Sequence, residues 1–191
     1  MKRIIIVFIF TFFCSNSFSI YAQPTTKDES SRKLISLLGA QDYIHQMIQL
    51  YIANIKDDQA RLKVKEILDE TKKIQFDELL IPTYQKYLTK DDIDKLNTFF
   101  ESPTGRKMIK IELLVLQKSM NLDDTQWIQN RKKIFNEQMT ANDLKIVNDF
   151  YKSAVGQKYL KVEPTISNET GLIGEELFKK TLQDYRNANL K

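Results

Sequence analysis

Apolar residues recur at helical spacing along almost the whole chain. Leu34, Leu37 and Leu38 open the pattern, and Gly39 interrupts it. Tyr43, Ile44, Met47, Ile48, Tyr51, Ile52 and Ile55 resume it as a wide stripe. Ala60, Val64, Ile67, Leu68 and Thr71 make a third segment, and Phe76, Leu79, Leu80, Tyr84 and Tyr87 a fourth. Pro82 lies inside that fourth segment, where it lacks an amide and crowds the carbonyl of Glu78, so a kink or break is expected there. No Asn-Gly, Asp-Gly or Gly-Gly pair occurs, which argues against a hairpin-rich β fold. The pattern predicts an all-α domain, a helical bundle of roughly seven to ten helices.

Within that pattern the chain repeats itself. Residues 88–112 and 139–163 align without a gap at an offset of 51, with 9 of 25 positions identical. The identical pairs include Thr89/Thr140, Asp92/Asp143, Asn97/Asn148, Phe99/Phe150, Ser102/Ser153, Gly105/Gly156, Lys107/Lys158 and Glu112/Glu163. Each copy parses as a helix hairpin. Thr89 and Thr140 are N-caps, each with an aspartate three residues on to complete a capping box. Ile93, Leu96 and Phe99/Phe100 form one apolar face, and Leu144, Val147 and Phe150/Tyr151 form its counterpart. Ser102 and Ser153 then cap a second helix, with Pro103 at its first position in one copy. A glycine inside a helix costs roughly 0.5–1 kcal/mol. Gly105 and Gly156 are therefore expected where the neighbouring helix of each pair comes too close for a side chain. The two hairpins, 89–119 and 140–166, should pack into one core as pseudo-equivalent units.

The ends of the pattern differ in kind. Lys2 and Arg3, the ten-residue apolar run Ile4 to Phe13, and Ala22 before Gln23-Pro24 have the layout of a secretory signal peptide cleaved after Ala22. A run of ten residues is too short to span a bilayer, so no stable membrane anchor is expected after cleavage. Phe13 stands where a lipoprotein needs a small residue before its acylated cysteine, so Cys14 is expected to leave with the peptide. The expected organisation is a signal peptide over 1–22, a flexible polar leader over 23–31, and one all-α domain over 32–191. The expected location is periplasmic or secreted, in a bacterium.

Composition narrows the chemistry. Export removes Lys2 and Arg3 and no acid, so the net charge falls from +4 to +2, with lysines interleaved among Asp and Glu. No basic stripe with aromatic platforms remains, and nucleic acid is not an expected partner. One cysteine and one histidine exclude a disulfide framework and any zinc site of clustered Cys and His.

The string Tyr84 … Leu88-Thr89 … Leu96 … Phe99-Phe100-Glu101-Ser102-Pro103-Thr104-Gly105-Arg106-Lys107 resembles the signature of a bacterial domain-of-unknown-function family, number 2059. The family signature reads Phe-Tyr-x-Ser-Pro-x-Gly-x-Lys. Phe150-Tyr151-Lys152-Ser153-Ala154-Val155-Gly156-Gln157-Lys158 resembles it again, with Ala154 where the family has proline. The resemblance implies an exported helical protein, and it brings no catalytic residue with it.

Candidate chemistry is weighed on geometry. Ser102 and Ser153 could act as nucleophiles only with His45, the one histidine, or with Lys107 and Lys158 five residues on. Five residues carry a side chain about 140° around a helix, so serine and lysine diverge. Glu112 and Glu163 could pair as acid and base, although a glutamate at such a rim more often meets a lysine. Asp91, Asp92 and Asp94 lack the glycine and closing glutamate of a calcium loop and read as solvated cap residues. No catalytic, cofactor or metal residue is assigned. The signature residues Phe99, Ser102, Pro103, Gly105, Lys107, Phe150, Ser153, Gly156 and Lys158 are structural or form an interaction site. The reading that follows is a non-catalytic exported module binding an envelope protein. The alternatives are a carrier or sensor of an apolar, lipid-like ligand, and a hydrolase using Glu112/Glu163 or Ser102/Ser153.

Overall fold

A computed structural model describes residues 26–43, 46, 56–71, 76–119 and 122–189. The signal-peptide residues, Cys14, His45 and most of the stripe from Ile44 to Ile55 lie outside the described residues. Those described include no strand and eight helices: α1 (Thr26–Leu37), α2 (Asp58–Thr71), α3 (Phe76–Tyr87), α4 (Lys90–Glu101), α5 (Pro103–Ser119), α6 (Asp124–Gln138), α7 (Ala141–Lys152) and α8 (Ala154–Asn189), with residues 40–43 also helical. The chain is all-α, as its periodicity requires. Among the described residues no helix is long and apolar enough to cross a membrane.

Three details depart from the sequence reading. Residues 26–31, expected in a flexible leader, form the first turns of α1, and Ser31 is fully buried. The polar stretch hides this because its contacts are made by polar groups: Ser31 donates to the Lys27 carbonyl (2.8 Å), and Gln85 donates to Asp28 (2.6 Å). α3 runs through Pro82 without a break. Burial of Phe76, Leu80, Ile81 and Tyr84 along one side outweighs the single lost amide bond. The second hairpin also does not end near residue 166, because α8 continues to Asn189, through Pro164. Its later turns have partners of their own, with Ile173 and Leu177 packed against the core.

Gly39 ends α1 with φ +68°, the left-handed conformation that side-chain-bearing residues avoid. The turn carries the chain over Ile109 of α5, 3.5 Å from where a Cβ would stand.

The packing follows the repeat. α3, α4 and α5 form one unit and α6, α7 and α8 the other, so the repeat is three helices long, one more than the 25-residue alignment shows. The contacts between units are reciprocal: α4 packs on α8 as α7 packs on α5, and α3 packs on α8 as α6 packs on α5. Two elements stand outside this symmetry, α2 packed on α8 and α1 on the first unit. α1 bridges α3 and α4 of the first unit, burying Leu34 and Ile35 completely.

Candidate functional site

The signature residues sit at the two hairpin corners and along the seam where the units meet. One residue joins α4 to α5 and one joins α7 to α8. Such a corner leaves the first amides of the second helix in need of partners. Ser102 meets that need and ties the two helices together: its hydroxyl accepts from the Gly105 amide (3.0 Å) and donates to the Phe99 carbonyl of the preceding helix (2.6 Å). Ser153 does the same with Gly156 (3.1 Å) and Phe150 (2.6 Å). Both hydroxyls are committed to tying the helices together, and Pro103 opens α5 where no amide is required.

The glycines follow from the same corner. A Cβ on Gly105 would stand 2.1 Å from the Phe99 carbonyl oxygen and 2.7 Å from the Phe100 Cα. A Cβ on Gly156 would stand 2.1 Å from the Phe150 oxygen and 2.8 Å from the Tyr151 Cα. The obstacle is backbone, which no rotamer change can move aside.

Across the seam, Phe99 stacks on Phe150 with ring centroids 3.6 Å apart and planes 5° from parallel. These two residues are repeat equivalents, so their contact marks the pseudo-twofold axis. Phe100 adds edge contacts to Phe150 (6.1 Å) and Tyr159 (5.8 Å). Aromatic pairs of this kind add about 0.5–1.5 kcal/mol beyond burial.

Around that axis the signature lysines cross between units. Lys107 of the first meets Asp143 of the second at 2.6 Å, and Lys158 of the second meets Asp92 of the first. The two aspartates are also the capping-box acids. Asp92 accepts from the Thr89 amide (2.8 Å) and Asp143 from the Thr140 amide (3.0 Å). Thr104 donates a further bond to Asp143 at 2.9 Å, with no counterpart in the other copy, where Val155 is the equivalent. Asp92, read as solvated, is therefore enclosed; Asp91 and Asp94 do lie toward solvent beside Lys95 and Lys90. Lys107 holds the Asp143 carboxyl well below the usual carboxylate range, helped by Thr140 and Thr104. Burial works against ionisation of Asp92, but Lys158 and Thr89 outweigh it and its carboxyl is also lowered.

The candidate carboxylates have separate surroundings. Glu112 receives Arg131 of α6 through both oxygens, with Nε at 3.1 Å, and Arg131 lies 4.7 Å over the Phe135 ring. Glu163 accepts from the Ser167 hydroxyl at 2.6 Å. Burial first, then the charge of these glutamates, raises Tyr43 and Tyr151 above the ordinary tyrosine value. No group of three or more potential metal ligands occurs among the described residues.

The reciprocal lysine–aspartate pairs are what sequence reasoning missed. Their signal was present, since Asp92/Asp143 and Lys107/Lys158 are all identical between copies. A hairpin taken singly offers neither lysine a partner. Only two hairpins placed face to face do.

Two outcomes follow. Gly156→Ala should cost about 1–3 kcal/mol, and Ser153→Ala about 1 kcal/mol. For a domain this size each kcal/mol lowers Tm by about 2–4 °C, so thermal melts followed by circular dichroism should place Gly156→Ala below Ser153→Ala. Equal melting points would refute the steric account. The second outcome concerns acid. A carboxyl whose folded pKa lies below its unfolded value of about 3.9 adds stability that is complete above that value and lost as pH falls through the folded pKa. Asp92→Asn/Asp143→Asn should therefore melt below the native chain at pH 7 and converge with it from about pH 4 downward. A gap that stays constant to pH 2 would count against these ion pairs.

Comparison with known proteins agrees with the internal symmetry. No curated protein and no solved structure matches the chain. A family described as "Uncharacterized protein conserved in bacteria" matches twice in tandem, over residues 75–131 and 128–184. The first match holds α3, α4, α5 and the start of α6, and the second holds the rest of α6, α7 and most of α8. Together they cover more than half of the sequence, and the chain belongs to this bacterial family, DUF2059.

Proposed function

We propose that the chain is an exported, non-catalytic module that binds a protein partner in the bacterial cell envelope. The supporting observation is an imbalance between the two units. Trp127, Ile128, Leu144, Ile146 and Leu160 of the second unit are exposed, whereas α3, α4 and α5 contribute no large exposed hydrophobic among the described residues. Large apolar side chains left exposed on one unit and not on its equivalent offer that unit a means of binding a partner. The serines and glycines of the signature are occupied in holding the corners, so the reading relies on a surface and needs no reaction. Export is supported by the basic start, the short apolar run and Ala22 before Gln23.

The test uses the protein in its own cell. A photo-reactive phenylalanine at Leu144 should give one discrete protein adduct, and the same group at exposed Lys95 of the first unit should give none. Mass spectrometry of the recovered chain should find it starting at Gln23. Lipid adducts at Leu144 would replace this reading with the lipid-carrier one, and an acylated Cys14 terminus would overturn the cleavage site.

A further inference from the structure

We infer that the groove between α6 and α7 receives an acidic amphipathic helix of a partner protein, in the manner that α1 occupies the groove between α3 and α4. This rests on the protein-binding reading above and specifies its site and its ligand.

The first groove shows what such a site accepts. α1 lays Leu34 and Ile35 against α3 and α4, where Ile93 and Leu96 are fully buried. Asn97 of α4 donates to the Ser30 carbonyl at 2.9 Å, holding the backbone of the incoming helix. The rim is acidic and the helix basic: Arg32 meets Glu78 at 2.5 Å and Lys33 meets Glu101 at 2.8 Å. Asp94 completes the rim, bonded to Ser30 and within the field of Lys33.

The second groove repeats part of these fittings, and among the described residues no helix bridges α6 and α7 as α1 bridges α3 and α4. Leu144 stands where Ile93 does, and it is 38% exposed against 0%. Asn148, equivalent to Asn97, lies in solvent, and no residue of α7 is fully buried. Beyond the groove, Leu160 is exposed where its equivalent, Ile109, packs under the turn that follows α1. The α7 side of the apolar floor and an amide for a backbone carbonyl are thus retained.

The rim has changed sign. Glu78, Asp94 and Glu101 become Gln129, Lys145 and Lys152, and on the α6 side of the floor the buried Leu80 and Ile81 become Arg131 and Lys132. Lys132, Lys145 and Lys152 are all exposed. A second copy's α1 would bring Arg32 and Lys33 against lysines, which argues against exchange of α1 between copies. A helix with a Leu-Ile pair on one side and acids flanking it satisfies both floor and rim.

The probes are two fluorescein-labelled peptides, each stapled to the same helicity: residues 26–37 as they stand, and the same segment with Arg32→Glu and Lys33→Glu. Fluorescence polarisation against the full mature chain should show binding of the acidic peptide and not of the native one. Lys145→Glu/Lys152→Glu, both at exposed positions with Lys145 paired only to Asp149 of the same helix among the described residues, should weaken the acidic peptide about tenfold and strengthen the native one by a similar factor. Leu144→Glu should weaken both. Stronger binding of the native peptide to the unaltered chain would overturn the inference in favour of a second copy. Acidic-peptide binding that ignores the lysine reversal, or no binding by either peptide, would also overturn it. If Leu144 nevertheless cross-links to a protein in the cell, only the acidic helix is refuted. If Leu144 captures no protein there, the protein-binding reading fails with it.

Discussion

The contact of Phe99 with Phe150 is the constraint from which the rest of the arrangement follows. A residue can meet its own repeat equivalent only on the axis relating the two copies. Once those rings stack, the corners that present them must face each other. Each lysine two residues beyond its glycine then lies beside the other unit's capping box, giving Lys107–Asp143 and Lys158–Asp92. The corners have to be tight for the rings to reach the axis. Tightness brings the second helix so near the preceding carbonyl that only glycine fits, and a serine hydroxyl serves both helix ends.

That seam stabilises the pair but leaves each unit with an outer groove to cover. In the first unit α1 covers it, and Ile93 and Leu96 become core residues. In the second unit the same positions, Leu144 and Val147, remain only partly buried. A duplicated unit would be expected to lose its apolar floor to polar substitutions if that floor faced only water. Here Leu144 and Val147 keep the floor apolar on α7, while on α6 Arg131 and Lys132 replace Leu80 and Ile81 and the rim exchanges acids for lysines.

Much of this was legible in the sequence. Helical periodicity reported the fold class, and the repeat reported the corners, the caps and the two glycines, because each depends on residues a few positions apart. What was not legible depends on distance. Ser31 and Asp28 look like leader residues until Gln85, more than fifty positions away, supplies their partner. Pro82 reads as a breaker because the burial that holds α3 together is tertiary. Lys107 and Lys158 suggest only partners for the nearby serines, because their aspartates lie on the other unit.

The signature that defines the family is therefore explained by how the two units fit together. Phenylalanine, serine, glycine and lysine recur in both copies because both corners and both ion pairs demand them. Residues required twice for one architectural reason are poor indicators of a site used once. Specific recognition is better sought where the copies differ, since a difference between equivalents escapes the shared structural demand. The largest such difference lies along α7, where Asp94 and Glu101 of one copy face Lys145 and Lys152 of the other across the alignment. In the first unit those acids are matched by a basic helix of the same chain. The lysines of the second hold the equivalent positions with the polarity reversed, and that reversal is the basis on which a helix of opposite charge to α1 is inferred for this surface.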